Sequence, residues 1–361
     1  MKNSEIANLR LYNQGLSETI FKDPLDAVTQ LGAVQAQDYA GAKWALGQRL
    51  MGYTDAMIDK DFNEGKLLRT HILRPTWHFI TPADIHWMLL ISAPRVHAIS
   101  AYYYRKAGLD KVMVKRTNAV ITKALRGGNQ LMRTEIASAL GKEGIDTNAE
   151  LRMGYIMIRA ELDGLICSGA RRGKQFTYAL LEERAPQVKV WKREEALAEL
   201  VKRYFKTRGP ATLQDFTWWS GLTMADAKNG MEIVKPEFAS ENINGQTYWF
   251  PESKVLPDKK GVTAYLLPNY DEYFIGFKDR SAIGDVAGMA NLPANDPTFI
   301  ANVIVLNGQI IGGWKRTLKK DTVTLELKSI IKFTKNEKEA VQQAAEQFGK
   351  FLRLVIQINW K

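Results

Sequence analysis

Residues 117–180 follow one order: helix, break, short helix, longer helix, strand, charged turn, strand. Residues 117–126 have helical spacing, and Gly127-Gly-Asn129 ends the run. Residues 133–141 predict a short second helix, with Thr134 available as its cap. Residues 148–163 predict a third, with Leu151, Tyr155, Ile158 and Leu162 at helical spacing and Gly164 as the stop. Residues 165–168 and 175–180 read as strands joined by Gly169-Ala-Arg-Arg-Gly-Lys174. Three helices and a basic hairpin are the parts of a winged helix-turn-helix unit, in which one helix enters the major groove and its neighbours touch the backbone. Arg171, Arg172 and Lys174 at the hairpin tip suit phosphate contacts, the alternative being an ordinary solvated turn.

The same order occurs on both sides of this segment, without a clear sequence repeat. The first copy has helical stretches at 5–15, 24–35 and 43–51 and a strand pair at 67–73 and 75–80. The third has helices at 193–207, 212–220 and 223–231, then a hairpin at 238–250 turning at Asn244-Gly245. Beyond Val262 the pattern becomes strand-rich, with a second Asn-Gly turn at Asn307-Gly308, an alternating strand at 322–327, an amphipathic helix at 337–352 and a last strand at 354–360. The expected fold is α+β: tandem winged-helix units over 1–105, 106–190 and 191–258, then a β-rich, barrel-like domain over 259–361.

A chain of 361 residues with a formal charge of +11 favours a polyanionic partner, nucleic acid before membrane. One cysteine, Cys167 in an apolar run, excludes an internal disulfide framework and a multi-cysteine zinc site. Neither a Gly-x-Gly-x-x-Gly nor a P-loop pattern occurs, and His71, His78, His86 and His97 do not have metal-ligand spacing, so no cofactor and no metal are expected. No signal peptide or membrane span is readable, which makes cytoplasm, associated with the nucleoid, the expected compartment. No obligate protein partner is implied.

The chemistry-bearing candidates lie in Leu31-Gly-Ala-Val-Gln-Ala-Gln-Asp38. On a helix, at about 100° per residue, Gln35 and Gln37 point to nearly opposite faces. They converge only if the backbone unwinds, and Asp38-Tyr-Ala-Gly41 makes that plausible. Paired neutral amides hold a water, a sugar or a base edge, because each carries donors and an acceptor. Asp38 adds a carboxylate that serves either as general base or as a helix cap. His78, in Arg74-Pro-Thr-Trp-His-Phe-Ile80, lies on the first hairpin with Arg74, where both could face DNA.

Five motifs in order, Leu31–Asp38, Arg74–Ile80, Asp215-Phe-Thr-Trp-Trp-Ser-Gly221, Leu266-Leu-Pro-Asn-Tyr-Asp-Glu-Tyr-Phe-Ile-Gly-Phe-Lys-Asp-Arg280 and Gly312-Gly-Trp-Lys-Arg316, make the chain resemble the AlkZ-like winged-helix DNA glycosylases over nearly its whole length. The resemblance implies tandem winged helices with a β-barrel-like domain, and excision of alkylated bases, notably N7-alkylguanine, from double-stranded DNA. Some members unhook interstrand crosslinks. The family's Gln-aliphatic-Gln motif matches Gln35-Ala36-Gln37, which makes these the implied catalytic residues. The competing class is a non-catalytic winged-helix DNA-binding protein or transcriptional regulator, which needs only the wings and the charge. Release of a modified base over time separates the two.

Overall fold

The computed structural model describes residues 1–149, 151–187, 189–252, 261–284 and 302–361. The first segment contains α1 (Asn3–Asn13), α2 (Pro24–Leu31), β1 (Val34–Gln35), α3 (Tyr39–Gly47), α4 (Asp55–Asn63), β2 (Leu68–Ile72) and β3 (Thr76–Ile80). Its three strands form an antiparallel sheet in the order β1-β3-β2. A long helix, α5 (Ile85–Lys106), leads to α6 (Lys111–Leu125), β4 (Leu131–Met132), α7 (Arg133–Lys142), α8 (Arg152–Leu162), β5 (Ile166–Ser168), β6 (Thr177–Leu180) and α9 (Leu181–Arg184), with sheet order β4-β6-β5. The third segment is α10 (Arg193–Arg208), α11 (Leu213–Ser220), α12 (Met224–Val234) and the hairpin β7 (Phe238–Ile243) and β8 (Gln246–Pro251).

The C-terminal part contains β9 (Ala264–Leu267), α13 (Glu272–Ile275), β10 (Val303–Leu306), β11 (Gln309–Leu318), β12 (Thr322–Ser329), a final helix Lys335–Leu352 and β13 (Val355–Trp360). The fold is thus α+β, helical first and sheet-rich last. The expected barrel does not close among the described residues. The five strands run β13-β12-β11-β10-β9, leaving β13 and β9 as edges. Two features account for this. The final helix is a crossover that returns β13 parallel to β12, where the other pairs are antiparallel. Helices also cover both sides: Phe348 and Phe351 of the final helix cluster with Trp314, Leu325 and Leu327, while Ala7 and Leu11 of α1 cluster with Val303, Val305 and Leu267. Where β10 and the first part of β11 are buried on both faces, the sheet has no hollow to wrap around. Gly312 is fixed by the β11–β12 pairing, because a Cβ there would stand 2.2 Å from the Lys328 carbonyl oxygen.

The largest core joins the first sheet to the third segment. Leu68, Ile72 and Ile80 pack with Trp87 and Val96 of α5, Leu200, Tyr204 and Phe205 of α10, and Phe216 and Trp219 of α11. One face of β1-β3-β2 is therefore turned into the molecule, against α10 and α11. The expected boundary at 258–259 lies outside the described residues.

Candidate functional site

Helix α2 stops at Leu31 because Gly32 takes φ +79°, a left-handed conformation that glycine adopts at little cost. The next residues extend and join the sheet edge: Val34 pairs with Phe79, Gln35 with His78, and the Ala36 N–H donates to the Trp77 carbonyl at 2.7 Å. The stretch expected as helix to residue 35 is thus unwound over its last four residues. On an extended backbone alternate side chains share a side. Val34 and Ala36 are buried together, and Gln35 and Gln37 share the opposite side.

Gln35 is buried and Gln37 exposed. Both amide oxygens accept from the second half of the hairpin, Gln35 from Arg74 in the β2–β3 turn and Gln37 from Trp77 in β3. Arg74 Nη2 donates to Gln35 Oε1 at 2.9 Å, and the Trp77 N–H donates to Gln37 Oε1 at 3.4 Å. Because both partners donate, the oxygen ends are the ones that face the hairpin. Arg74 Nη1 reaches the Trp218 carbonyl at 3.5 Å, and burial lowers the Arg74 pKa. Trp218 is 46 % exposed beside it, whereas Trp219 is fully buried.

Two residues that sequence reasoning missed build the frame beneath Gln35. Glu272 is buried on α13; its Oε1 accepts the Gln35 N–H at 3.0 Å, and its Oε2 accepts from Arg208 Nη2 at 2.6 Å and Trp219 Nε1 at 2.8 Å. Arg208 also donates to the Leu31 carbonyl at 2.9 Å and the Ala33 carbonyl at 3.4 Å, so its guanidinium spans Gly32. Its plane lies over the Trp219 ring, 4.2 Å from the centroid. The preceding acid, Asp271, takes a bidentate pair from the buried Arg49 at 2.8 and 2.9 Å. On the other side of the sheet Arg69 Nε donates to the Ala36 carbonyl at 3.0 Å while sandwiched between Trp77 and Phe176. Burial lowers its pKa to about 10. The available signal was an acidic pair, Asp271-Glu272, inside an otherwise aromatic run.

The other expected residues are distributed as follows. Asp38 is the N-cap of α3, accepting the Gly41 N–H at 3.0 Å; Arg316 Nη2 lies 3.7 Å from its second oxygen. His78 does not face outward: it is fully enclosed, on the sheet face turned toward α10 and α11. Its Nδ1–H donates to the Thr76 carbonyl at 3.0 Å and Nε2 has no partner. Burial, reinforced by the charge of Arg74, pushes its pKa down to about 3, so the ring is neutral. The expectation of a DNA-facing ring fails because β-alternation cannot tell which side of a hairpin a distant helix covers.

Arg171 pairs with Asp59 at 3.4 Å and lies over the Tyr39 ring, which sets the second hairpin against the start of α3. Arg172 is held bidentate by Glu135 at 2.9 and 3.0 Å, and Lys174 is exposed. Cys167 is buried, its thiol pushed up to about 12 by burial. Among the described residues no group of three or more His, Cys, Asp or Glu side chains could hold a metal, and no helix is long and apolar enough to cross a membrane.

The model of the AlkZ-like family, described as DNA glycosylase AlkZ-like, matches residues 28–351. An interstrand DNA cross-link repair glycosylase of Streptomyces sahachiroi is 24% identical over 330 residues, spanning 85% of each chain. The solved structure of the Streptomyces sahachiroi DNA glycosylase AlkZ superposes with a TM-score of 0.79 at 20% identity, over 99% of this chain and all of that one.

Proposed function

The chain belongs to the AlkZ-like DNA glycosylase family, and from that premise we propose that it is a monofunctional glycosylase hydrolysing the N-glycosidic bond of alkylated purines, N7-alkylguanine first, in duplex DNA. Crosslinks built from such adducts are within its proposed range. The observation that carries the reading is the pair of glutamine amides on one side of an edge strand, their oxygens engaged by Arg74 and by the Trp77 N–H and their backbone anchored by Glu272, Arg208 and Arg69.

An N7-alkylated guanine is cationic, so its bond to the sugar breaks with the electron pair moving onto the ring. The protein's task is then to place a water against the sugar carbon and stabilise an oxocarbenium-like centre. Gln35 and Gln37 do this by position and dipole: each oxygen keeps a second lone pair for a water proton, and each NH2 donates. Asp38, adjacent in the chain and partly exposed, is the carboxylate proposed to take the proton the water loses. Its bond to the Gly41 N–H limits its swing. The three helix-and-hairpin segments serve as winged helices on the duplex, and Arg171, Arg172 and Lys174 form the wing that meets phosphates.

The deciding experiment incubates the protein with duplex DNA carrying N7-methylguanine and follows free base over time. Duplex binding without base release replaces this reading with that of a non-catalytic DNA-binding protein.

A further inference from the structure

Away from the glutamine pair, α5 and α8 lie side by side and present tyrosines. Tyr103 of α5 stacks on Tyr155 of α8, with centroids 5.5 Å apart and planes 9° apart. Tyr102 meets the Tyr103 ring edge-on at 5.3 Å and is 62 % exposed. Exposed rings fixed by one another lose little freedom on receiving a further flat group, which is how a stacking platform is made.

The surroundings are cationic. Arg105 and Lys106 follow on α5 and are exposed, and one helical turn before Tyr155 is the half-buried Arg152, its Nε enclosed. Arg133 Nη2 lies 3.7 Å from where a Cβ on Gly154 would stand. Along the described residues α5 carries no acid, and α8 carries only Glu161, which is buried. Asp163, just past α8, is already engaged by Arg159 and His97.

We propose that the Tyr102–Tyr103–Tyr155 surface binds single-stranded DNA, bases stacking on the tyrosines and phosphates meeting Arg105, Lys106 and Arg152. Duplex DNA fits poorly here. Its base faces are closed to an incoming ring, because they are stacked inside the double helix. His97–Asp163 at one end and Tyr103–Tyr155 toward the other hold α5 and α8 together. That the strand is DNA rather than RNA rests on the proposed function; the surface itself does not.

The test is fluorescence anisotropy of the full chain with 5′-labelled dT15, rU15 and a 15-base-pair duplex at low salt. Wild type is expected to bind dT15. Tyr102→Ala, at an exposed position that keeps the fold, weakens this about tenfold, since a lost base–aromatic stack costs on that order. Tyr102→Phe restores it. Arg105→Glu with Lys106→Glu abolishes dT15 binding and leaves base release from an alkylated duplex unchanged. No binding of either single strand, or dT15 affinity unmoved by Tyr102→Ala and by the double charge reversal, overturns the site. Binding of rU15 but not dT15 overturns the assignment to DNA. Loss of base release in the wild type bears only on the proposed glycosylase.

Discussion

Replacing Glu272 with Ala tests whether the edge strand that carries the glutamines is held by a buried charge. Glu272 and Arg208 are 1 % and 0 % exposed, and their contact is 2.6 Å. Removing the carboxylate leaves Arg208 buried with only neutral acceptors: the Leu31 and Ala33 carbonyls and the Thr207 hydroxyl. It also strips the acceptor from the Gln35 N–H and from Trp219 Nε1. Breaking a buried pair from one side costs about 3–5 kcal/mol, most of it the stranded charge. With a urea slope of about 2–3 kcal/mol/M the midpoint falls by about 1–2 M.

The control removes both charges. Glu272→Gln with Arg208→Met strands no ion and keeps one acceptor oxygen, enough for one of the two N–H donors, so most of the loss returns. Tryptophan fluorescence reads the unfolding transition, with Trp219, which touches both partners, as one of nine tryptophans. A single-mutant loss under about 1 kcal/mol, the size of an ordinary hydrogen bond, refutes the argument. So does a double mutant as unstable as the single one.

Gln35→Ala and Gln37→Ala should each lower single-turnover base release by about 10²-fold or more with duplex affinity retained; wild-type rates in both variants sink the amide mechanism. His78 gives a stability dependence on pH. Its folded pKa, about 3, lies below the ordinary histidine value of about 6.5, so the unfolded chain binds the extra proton between those limits. Stability therefore falls as pH drops through that window, by about 1.4 kcal/mol per unit, and His78→Asn flattens that slope in urea titrations at pH 7, 6 and 5. Parallel curves contradict it. At the wing, Lys174→Ala should reduce the slope of log K against log salt by about 0.9, as for one lost phosphate contact. Arg172→Ala should change it less, because Glu135 already holds that guanidinium, and an equal effect of the two substitutions counts against this assignment.

Local chemistry was legible in the sequence and distant packing was not. The Asn244-Gly245 and Asn307-Gly308 turns form as expected, because an Asn-Gly pair with positive φ at both residues is specified within the dipeptide. The convergence of Gln35 and Gln37 required an unwound backbone, expected from Asp38-Tyr-Ala-Gly41, but the residue that ends the helix is Gly32, inside the stretch expected as helix. The form of the unwinding was hidden. Val34 and Gln35 become a strand only because β3 offers them an edge some forty residues later. Glu272 was harder still, since it meets Gln35 across 237 residues of chain. The parallel return of β13 follows from where the final helix lands, and alternation within the strand is the same for either pairing.

The frame around Leu31–Gln37 explains why amides suit this site. Arg208 holds the Leu31 and Ala33 carbonyls, Arg69 holds Ala36, and Arg74 holds the Gln35 side chain. Glu272 returns one negative charge and shares it with Arg208. Arg74 retains its charge with only Gln35 and a carbonyl as partners, so the edge strand sits in a positive field. A carboxylate added beside the amides is drawn toward Arg74, since charged partners attract more strongly than neutral ones. An amide is held by the same donors without carrying charge, and its orientation survives. In the proposed reaction the compensating negative charge comes from the DNA phosphates, which enter with the substrate and lie close to the sugar that becomes cationic. The protein then supplies geometry more than charge, and the rigidity of the arginine-held strand becomes the property on which the rate depends.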